Sequence, residues 1–369
     1  MTEILVTGGA GFIGSNFVRY ALAHHPDWHV TTIDKLTYAG RRENLHDVMD
    51  DPRHTFVHGD ILDAPISGPL VERAELVVHF AAETHVDRSI LAAGEFIRTD
   101  VEGTFVLLEA ARRAPRLRRF VQISTDEVYG SIPTGASRET DELKPRNPYA
   151  ASKAGADRLA YSYWATYNVP VIITRASNNY GPYQFPEKVI PLFVTNAIDD
   201  RPVPLYGDGR NVRDWLHVED HCEALNLLID KGTSGEVYNI GGGNEVMNIE
   251  LTHRILGTLG KPASLIQPVP DRPGHDRRYC LDTTKLRALG WTPRVAFEQG
   301  LRNTVDWYRR NEWWWRPIKE QDAAFRSYYQ TQYAGSRIGN RESGSSAIQN
   351  PEPRTPNLGS RIPDPRSRE

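Results

Sequence analysis

The segment Thr7-Gly8-Gly9-Ala10-Gly11-Phe12-Ile13-Gly14 places glycines at Gly8, Gly11 and Gly14. It follows a short apolar run, Glu3 to Thr7, and opens the run Phe12 to Ala23, in which apolar residues recur near helical spacing. The segment therefore predicts a strand, a tight turn and a helix. Glycines in such a turn let the backbone approach a pyrophosphate, and the N–H groups at the start of the helix point toward it.

An acidic residue stands where the second predicted strand ends. Asp34 follows Gly14 by 20 residues. A carboxylate at this position accepts hydrogen bonds from both ribose hydroxyls of a dinucleotide and repels a 2′-phosphate. The sequence therefore predicts NAD rather than NADP, although the nearby cations Lys35, Arg41 and Arg42 would weaken that preference.

Short apolar runs alternate with helical stretches over the first half of the chain. Strands that alternate with helices form a parallel sheet covered on both faces. The predicted fold class is therefore α/β, with a Rossmann-type doubly wound parallel sheet. The further strand-like runs are His29 to Asp34, Thr55 to His58, Leu76 to Phe80, Phe120 to Ser124 and Val171 to Arg175, and the main later helical stretches are Glu95 to Ala114 and Tyr149 to Asn168.

The pattern changes near Asn178. Proline-rich loops follow, interspersed with short helices such as Glu219 to Asp230. We therefore expect an NAD-binding domain with the catalytic residues over 1–177, to which later strands and helices can return. We expect residues 178–333 to form mainly a smaller C-terminal α/β lobe that binds the substrate.

The end of the chain differs in composition from the rest. Trp313, Trp314 and Trp315 end the predicted folded part, where three adjacent indoles favour packing or an interface over ligand binding. Residues 334–369 contain no aromatic side chain and are rich in Gly, Ser, Pro and Arg. Such a segment buries too little apolar surface to offset its ordering entropy, which predicts a disordered polar tail.

Composition excludes several classes of function. The 369 residues hold 44 Lys and Arg against 47 Asp and Glu, so there is no overall field for nucleic acid or an anionic membrane. Cys222 and Cys280 are the only cysteines and indicate reduced thiols in a cytoplasmic protein. No apolar stretch approaches the ~20 residues that cross a bilayer. His217 and His221 have a spacing that suits zinc, but no third ligand is evident, so we expect no metal.

Tyr149 and Lys153 stand four residues apart at the start of a predicted helix and so project from one face. An ammonium at this position is expected to lower the pKa of the phenol toward neutrality and to hold the nicotinamide ribose. A tyrosinate beside NAD is a base that removes the proton of an alcohol during oxidation. By itself Tyr-x-x-x-Lys is common, but behind a dinucleotide-binding segment it favours catalysis.

These two motifs, Thr-Gly-Gly-Ala-Gly-Phe-Ile-Gly and Tyr149-Ala150-Ala151-Ser152-Lys153, resemble the extended short-chain dehydrogenase/reductase superfamily over about residues 1–320. The resemblance implies an NAD-binding fold. It leaves the reaction open, because epimerases, dehydratases, reductases and decarboxylases share these parts.

The segment Ser124-Thr125-Asp126-Glu127-Val128-Tyr129-Gly130 bears on the reaction. It ends the fifth predicted strand, where ligands bind in open α/β sheets. A simple epimerase needs a hydroxyl donor there and no acids. Two adjacent carboxyl groups indicate an added proton-moving step, in which one group protonates a leaving hydroxyl and the other removes a carbon-bound proton. That combination describes dehydration.

The Thr-Asp-Glu triplet resembles the nucleotide-sugar 4,6-dehydratases, most closely the dTDP-glucose 4,6-dehydratases of deoxysugar biosynthesis. The resemblance implies that Tyr149, assisted by Thr125 and Lys153, takes the C4 hydroxyl proton as the C4 hydride passes to NAD. Glu127 then removes the C5 proton, and Asp126 protonates the departing C6 hydroxyl. The hydride returns to C6, so the cofactor is not consumed.

Related subgroups supply the alternatives. GDP-mannose dehydratases and UDP-glucuronate decarboxylases typically carry Thr-Ser-Glu, so Asp126 and Glu127 together argue against them, as they do against a 4-epimerase. UDP-glucose 4,6-dehydratases of plants share Thr-Asp-Glu, so the nucleotide base stays open. A non-catalytic NAD-binding regulator would be expected to lack some of these groups, and none is missing.

The remaining site residues are assigned mainly by the resemblance, which also implies a homodimer paired through helices. The cofactor site is expected to add Phe12, Ile13, Lys35, Leu36, Thr37, Asp60, Ile61, Phe80, Ala81, Ala82, Thr84, Thr99 and Asn179. The nucleotide-sugar site is expected to comprise Thr84, Thr125, Asn178, Lys188, Val189, Pro204, Leu205, Tyr206, Arg213, Asn248, Asp271, Arg272 and His275.

Overall fold

A seven-stranded sheet forms the centre of the molecule in the computed structural model, which describes residues 1–334. Its order is β3-β2-β1-β4-β5-β6-β10, and every neighbouring pair is parallel. This confirms the predicted Rossmann-type fold. The strands are β1 (Thr2–Thr7), β2 (Trp28–Asp34), β3 (His54–His58), β4 (Leu76–His79), β5 (Arg119–Thr125), β6 (Val171–Ala176) and β10 (Val237–Ile240).

Helices cover both faces of this sheet. The helices of the first half are α1 (Phe12–His24), α2 (Ala64–Arg73), α3 (Val86–Leu91), α4 (Ala93–Phe96), α5 (Gly103–Ala111) and α6 (Pro148–Tyr167). Alternate residues of β1 face opposite sides, as the pleat requires. Ile4 and Val6 join the core that includes Phe17 of α1, whereas Leu5 joins the core that includes Leu107 of α5. Both faces are therefore apolar and fully covered.

The predicted helix from Glu95 to Ala114 is interrupted in the structure, so that prediction is wrong in part. A π-helical turn, Ile97–Glu102, separates α4 from α5. Such turns insert an extra residue into a helix and often occur at functional sites. Beyond the turn, a Cβ on Gly103 would lie 2.5 Å from Ile61 Cδ1, and the Thr104 hydroxyl lies 3.0 Å from His79 Nε2.

The second half contains more regular structure than the sequence predicted. The additional strands are β7 (Asn178–Tyr180), β8 (Val203–Tyr206), β9 (Val212–His217), β11 (Glu245–Met247) and β12 (Ile266–Val269). They form a three-stranded sheet, β11-β9-β7, and a parallel pair, β12-β8. Strands of three to six residues carry too little periodicity to be recognised from sequence.

The helices of the second half are α7 (Val189–Ile198), α8 (Val218–Lys231), α9 (Asn248–Leu259), α10 (Thr284–Ala288), α11 (Phe297–Arg310), α12 (Glu312–Gln321) and α13 (Ala323–Tyr329), followed by a π-helical turn, Gln330–Ala334. Leu225 and Leu228 of α8 join the core that contains Phe17, and β10 pairs with β6. The chain thus returns to the main sheet after residue 177, while the domain boundaries themselves stay a prediction.

The C-terminal tryptophans divide between core and surface. Trp314 and Trp315 are buried, and Trp313 is 49% exposed. The predicted tail, 334–369, begins at the last residue of the final π turn, and its residues 335–369 lie outside the described residues. Within residues 1–334, no helix is long and apolar enough to cross a bilayer.

The buried indole of Trp315 is expected to stabilise the second half of the chain. Trp315→Ala should lower the free energy of unfolding by about 3–5 kcal/mol, because it leaves a large cavity in the core. Trp313→Ala is the matched control, since an exposed side chain should cost about 0.5 kcal/mol or less. Urea unfolding followed by circular dichroism measures both. Equal losses in the two variants would contradict this packing.

Candidate active site

One cavity opens at the carboxyl ends of β1, β2, β4, β5 and β6. It brings together most of the side chains that the sequence singled out. Those that line it are Gly8, Gly11, Phe12, Ile13, Gly14, Asp34, Lys35, Thr37, Asp60, Ile61, Phe80, Ala81, Ala82, Thr84, Thr99, Thr125, Asp126, Glu127, Tyr149, Lys153, Asn178, Asn179 and Lys188. Dinucleotide-binding and acid–base groups therefore share a single cleft.

The glycine turn has room for backbone only. Gly8 has φ of +68°, and a Cβ on it would lie 2.6 Å from the backbone nitrogen of Ala81. A Cβ on Gly14 would collide with the carbonyl oxygen of Gly8. No side chain caps the start of α1, so its first N–H groups face the turn without such a partner. These features fit the pyrophosphate of a dinucleotide.

Asp34 is held at the end of β2 by the backbone. Its Oδ2 accepts from Ala10 N–H at 2.9 Å and its Oδ1 from Leu36 N–H at 2.8 Å. Burial raises the pKa of the carboxyl group, while these two hydrogen bonds act in the opposite direction. Leu36, which was expected at the cofactor, does not line the cavity and has φ of 55°.

The cations near Asp34 have other partners. Lys35 forms an ion pair with Asp60 at 2.8 Å, and Arg41 lies 3.4 Å from Glu43. The guanidinium of Arg42 lies over the ring of Phe56. Lys35 and Arg41 are paired with carboxylates and Arg42 packs on an aromatic ring, so the site fits the ribose hydroxyls of NAD.

Asp126 is the most enclosed of the acid–base groups. It begins a single 3-10 turn, Asp126–Tyr129, directly after β5. The residue is 3% exposed; its Oδ1 accepts from the Thr125 hydroxyl at 3.1 Å, and its Oδ2 has no hydrogen-bond partner among residues 1–334. Burial, and then the neighbouring charge of Glu127, raise the pKa of Asp126 well above its usual range. The carboxyl group is therefore suited to donate a proton.

Glu127 lies in a different environment, half-buried and close to polar groups. Its Oε2 accepts from the Asn147 amide at 3.3 Å, and the Tyr279 hydroxyl lies 3.5 Å from the same oxygen. The Asn147 side chain also caps α6, because its Oδ1 accepts from Ala150 N–H at 2.8 Å. Sequence reasoning missed both partners, although Asn147-Pro148 is a typical start of a helix and could have indicated the first.

Tyr149 and Lys153 lie on the first turns of α6 and both line the cavity. The expected lowering of the phenol pKa is not found in the chain alone. Burial, followed by the charges of Glu127 and Asp100, raises the pKa of Tyr149, and a hydrogen bond with Thr125 lowers it. Burial also lowers the pKa of Lys153, while Asp100 and Asp157 raise it.

Asp100 is a further buried acid that the sequence did not reveal. It lies in the π turn before α5 and accepts from the Ser152 hydroxyl at 2.6 Å and from Glu83 N–H at 2.8 Å. Burial raises its pKa to about 6. It therefore joins the π turn to the helix that carries Lys153.

Two asparagines and a lysine line the far side of the cavity. Asn179 donates to the carbonyl of Ser177 at 2.9 Å, and its Oδ1 lies 2.9 Å from His221 Nδ1. Lys188 donates to the carbonyl of Thr84 at 2.8 Å, and the Oδ1 of Asn178 is buried without a partner among the described residues. These groups line the same cavity as the catalytic acids.

The remaining predicted substrate residues lie outside the lining of this cavity, in the smaller lobe. They are Val189, Pro204, Leu205, Tyr206, Arg213, Asn248, Asp271, Arg272 and His275. Leu205 is buried in the core of that lobe. The rings of Tyr206 and His275 lie 6.0 Å apart, and His275 Nδ1 lies 2.6 Å from Asp271.

Asp87 connects several of these residues and was missed as an individual site. Its carboxylate accepts from Arg272 at 2.9 Å, from the Tyr206 hydroxyl at 3.2 Å and from the Tyr328 hydroxyl at 3.1 Å. Asp87 lies in the first turn of α3, and Tyr328 lies on α13. Only tertiary packing brings these two helices together.

The two histidines with metal-like spacing have other contacts. His217 caps α8, where its Nδ1 accepts from Glu219 N–H at 3.4 Å, and His221 contacts Asn179. Across residues 1–334, no group of three His, Cys, Asp or Glu side chains is arranged to hold a metal ion.

Comparison with known proteins places this site in a family. Residues 5–304 match the family model described as GDP-mannose 4,6 dehydratase. A dTDP-glucose 4,6-dehydratase of Streptomyces niveus is 55% identical over 327 residues, which cover 87% of this chain and 97% of that protein.

Solved structures give the same result. DesIV of Streptomyces venezuelae, a dTDP-glucose 4,6-dehydratase with NAD and dTDP bound, superposes with a TM-score of 0.84 at 53% identity, covering 86% of this chain and all of that one. A UDP-glucose 4-epimerase of Thermus thermophilus in complex with NAD has a TM-score of 0.77 at 34% identity, covering 84% of this chain and 99% of that one. The chain therefore belongs to the dTDP-glucose 4,6-dehydratase family within the extended short-chain dehydrogenase/reductases.

Proposed function

We propose that the chain is an NAD-dependent hydro-lyase that converts dTDP-D-glucose to dTDP-4-keto-6-deoxy-D-glucose and water. The observation that carries the proposal is the pair Asp126 and Glu127 in the same cavity as Tyr149 and Lys153. An epimerase needs no such pair. The dTDP-glucose 4,6-dehydratase of Streptomyces niveus and the ligands of DesIV support dTDP as the nucleotide.

In the first step Tyr149 accepts the proton of the sugar C4 hydroxyl. The hydrogen bond with Thr125 favours the phenolate, and the buried ammonium of Lys153 lies one helical turn away. When bound, NAD supplies the hydride acceptor for this oxidation and the hydride donor for the last reduction, together with a positively charged ring beside the phenol. Tyr149 and Lys153 thus hold and move the proton at C4.

In the second step water is lost across C5 and C6. The new C4 ketone acidifies C5–H, and Glu127 removes that proton. The C5–H electron pair forms the C5–C6 double bond while the C6–O bond breaks. Asp126, whose raised pKa favours the protonated form, transfers its proton to the departing hydroxyl, which leaves as water. Reduction at C6 and reprotonation at C5 then complete the product.

Cations of the smaller lobe are suited to the nucleotide diphosphate. Arg213 and Arg272 are both largely buried. Burial lowers the pKa of Arg213; for Arg272 burial acts in the same direction, but the charge of Asp87 outweighs it and raises the pKa. Lys188, which lines the cavity, interacts with the charge of Glu127. Guanidinium groups bind phosphate oxygens with charge-assisted hydrogen bonds. We assign the thymine to the neighbourhood of Tyr206 and His275.

We also propose a homodimer that forms through the helices beside the π turn. Several large apolar side chains are exposed there. They are Ile90 and Leu91 on α3, Ile97 in the π turn, Phe105 on α5 and Tyr161 on α6. A second copy of the chain would cover them. Light scattering should give twice the chain mass of 41.7 kDa, and Phe105→Asp should shift it toward one chain; a monomeric parent would overturn this proposal.

The proposed compartment is the cytoplasm. Cys222 is buried, Cys280 is partly exposed, and neither forms a disulfide. Free thiols of this kind are typical of a reducing compartment.

Purified protein should convert dTDP-glucose to a 4-keto sugar, which absorbs after alkali treatment. We expect kcat/KM to exceed that for UDP-glucose by about tenfold or more, because UDP-glucose lacks the thymine methyl group and carries an additional ribose 2′-hydroxyl. One methyl group in an apolar pocket alone discriminates by about 10–200-fold. Tyr149→Phe is the inactive control. A preference for UDP-glucose would change only the assigned nucleotide of the substrate. If neither sugar gave a 4-keto product, the proposed dehydration itself would be overturned.

Asp126→Asn should separate the two chemical steps. We expect elimination to slow by about 100-fold or more, the usual effect of losing a general acid, while C4 oxidation keeps most of its rate. Single-turnover absorbance of enzyme-bound NADH measures oxidation, and release of 4-keto product measures elimination. Asp27→Asn, at an exposed turn before β2, is the control. Equal slowing of both steps would show that Asp126 is not the acid.

The same variant should be more stable than the parent at neutral pH. The pKa of Asp126 is raised in the folded chain, so the parent loses stability as pH rises from the ordinary carboxyl range toward that raised pKa. Asn has no proton to lose. We expect Asp126→Asn to raise Tm by about 2–4 °C at pH 8, the shift typical of about 1 kcal/mol, and by less at pH 4. A pH-independent difference would contradict a buried neutral carboxyl group.

A further inference from the structure

The side chain of Arg175 occupies an unusual place at the end of β6. It is 1% exposed, and its guanidinium reaches two separate elements. Its Nε and Nη2 donate to the two carboxylate oxygens of Asp157 at 2.8 and 3.2 Å. Its Nη1 donates to the Tyr129 hydroxyl at 2.7 Å and to the carbonyl of Glu139 at 3.3 Å. A buried charge with these partners holds a fixed orientation.

Both elements carry catalytic groups. Asp157 lies on α6, four residues and about one turn after Lys153. Tyr129 ends the 3-10 turn that begins with Asp126 and Glu127. One guanidinium therefore contacts both α6, which carries the base for C4 oxidation, and the 3-10 turn, which carries the two carboxyl groups for elimination across C5 and C6.

Tyr129 extends the hydrogen-bond network of Arg175 to Asn239 of β10. Burial raises its pKa to about 12, so its hydroxyl stays protonated, accepts from Arg175 and donates to Asn239 Oδ1 at 2.8 Å. The Asn239 amide in turn donates to the carbonyls of Ser137 and Asp282 at 2.9 and 3.2 Å. The 3-10 turn is thus anchored through Tyr129 to both β6 and β10.

We propose that Arg175, acting through Tyr129, is a positioning residue that sets the Asp126–Glu127 turn against the helix carrying Tyr149 and Lys153. This inference rests on the proposed function and deepens it. Oxidation at C4 and elimination at C5 and C6 act on one ring, so the two sets of groups must keep a fixed separation. A rigid, planar guanidinium can hold both contacts at once, whereas a lysine ammonium is a single point charge.

The contacts of Arg175 with Asp157 and with Tyr129 lead to separate predictions. Removing the Tyr129 hydroxyl releases the acid turn but leaves the bond between Arg175 and Asp157 in place. Tyr149 and Lys153 on α6 should then keep their positions for C4 oxidation, whereas Asp126 and Glu127 should lose their positions for elimination. Displacement of about 1 Å costs up to about 100-fold in rate.

The test is Tyr129→Phe in the full chain with dTDP-glucose. We expect deuterium exchange at C5 and product release to slow by about tenfold or more, with formation of bound NADH within about threefold of the parent. Bound NADH should accumulate as a result. Tyr163→Phe is the matched control, because it also removes one buried tyrosine hydroxyl, but this hydroxyl lies on α6 and donates to Glu109 rather than into the Arg175 cluster. It should leave both steps unchanged.

Arg175→Lys tests the arginine itself. It keeps the buried charge but loses the planar fork, so both oxidation and C5 exchange should slow. If Tyr129→Phe slows the two steps equally, or if Arg175→Lys slows neither, the positioning role is wrong. Failure of the parent to form any 4-keto product would instead overturn the proposed function, so the two failures are distinct.

Discussion

The site depends on the removal of water from the carboxyl end of β5. Asp126 is enclosed there with one oxygen bonded to Thr125 and the other without a partner among the described residues. Desolvation disfavours its charged form and raises the pKa of the carboxyl group well above its usual range. The fold contributes to this burial, because β5 lies inside a parallel sheet that helices cover on both faces.

Neighbouring groups acquire different properties because their surroundings differ. Glu127 is one residue away, yet it is half-buried and receives the Asn147 amide. Arg213 and Arg272 bring positive charge to its side of the cleft. Environments that separate two adjacent carboxyl groups into a proton donor and a proton acceptor are a recurrent basis of acid–base catalysis. The smaller lobe therefore does more than bind the nucleotide, because it supplies part of the field around Glu127.

Motifs within a single turn or helix predicted those site residues whose positions depend on neighbours in the sequence. The turn from Gly8 to Gly14 and the pair Tyr149 and Lys153 depend on spacing along one strand or helix, and the sequence predicted both. Asp100 and Tyr279 depend on contacts between distant segments. The contact of Tyr279 with Glu127 spans 152 residues, and no periodicity encodes it. The pKa of Tyr149 was mispredicted for the same reason, since burial and remote charges outweigh the lysine on its own helix.

The π turn before α5 constrains the number of residues in the segment 97–102. A π turn accommodates one residue more than an α turn, so every residue after it is rotated by about 100° relative to an uninterrupted helix. Gly103 meets Ile61 and Thr104 meets His79 only in that rotated frame. Deleting a single residue between 97 and 102 would turn Gly103 away from Ile61 and Thr104 away from His79 of β4, while substituting any one residue would not rotate the helix. Natural variation in this segment should therefore tolerate exchanges far better than gaps.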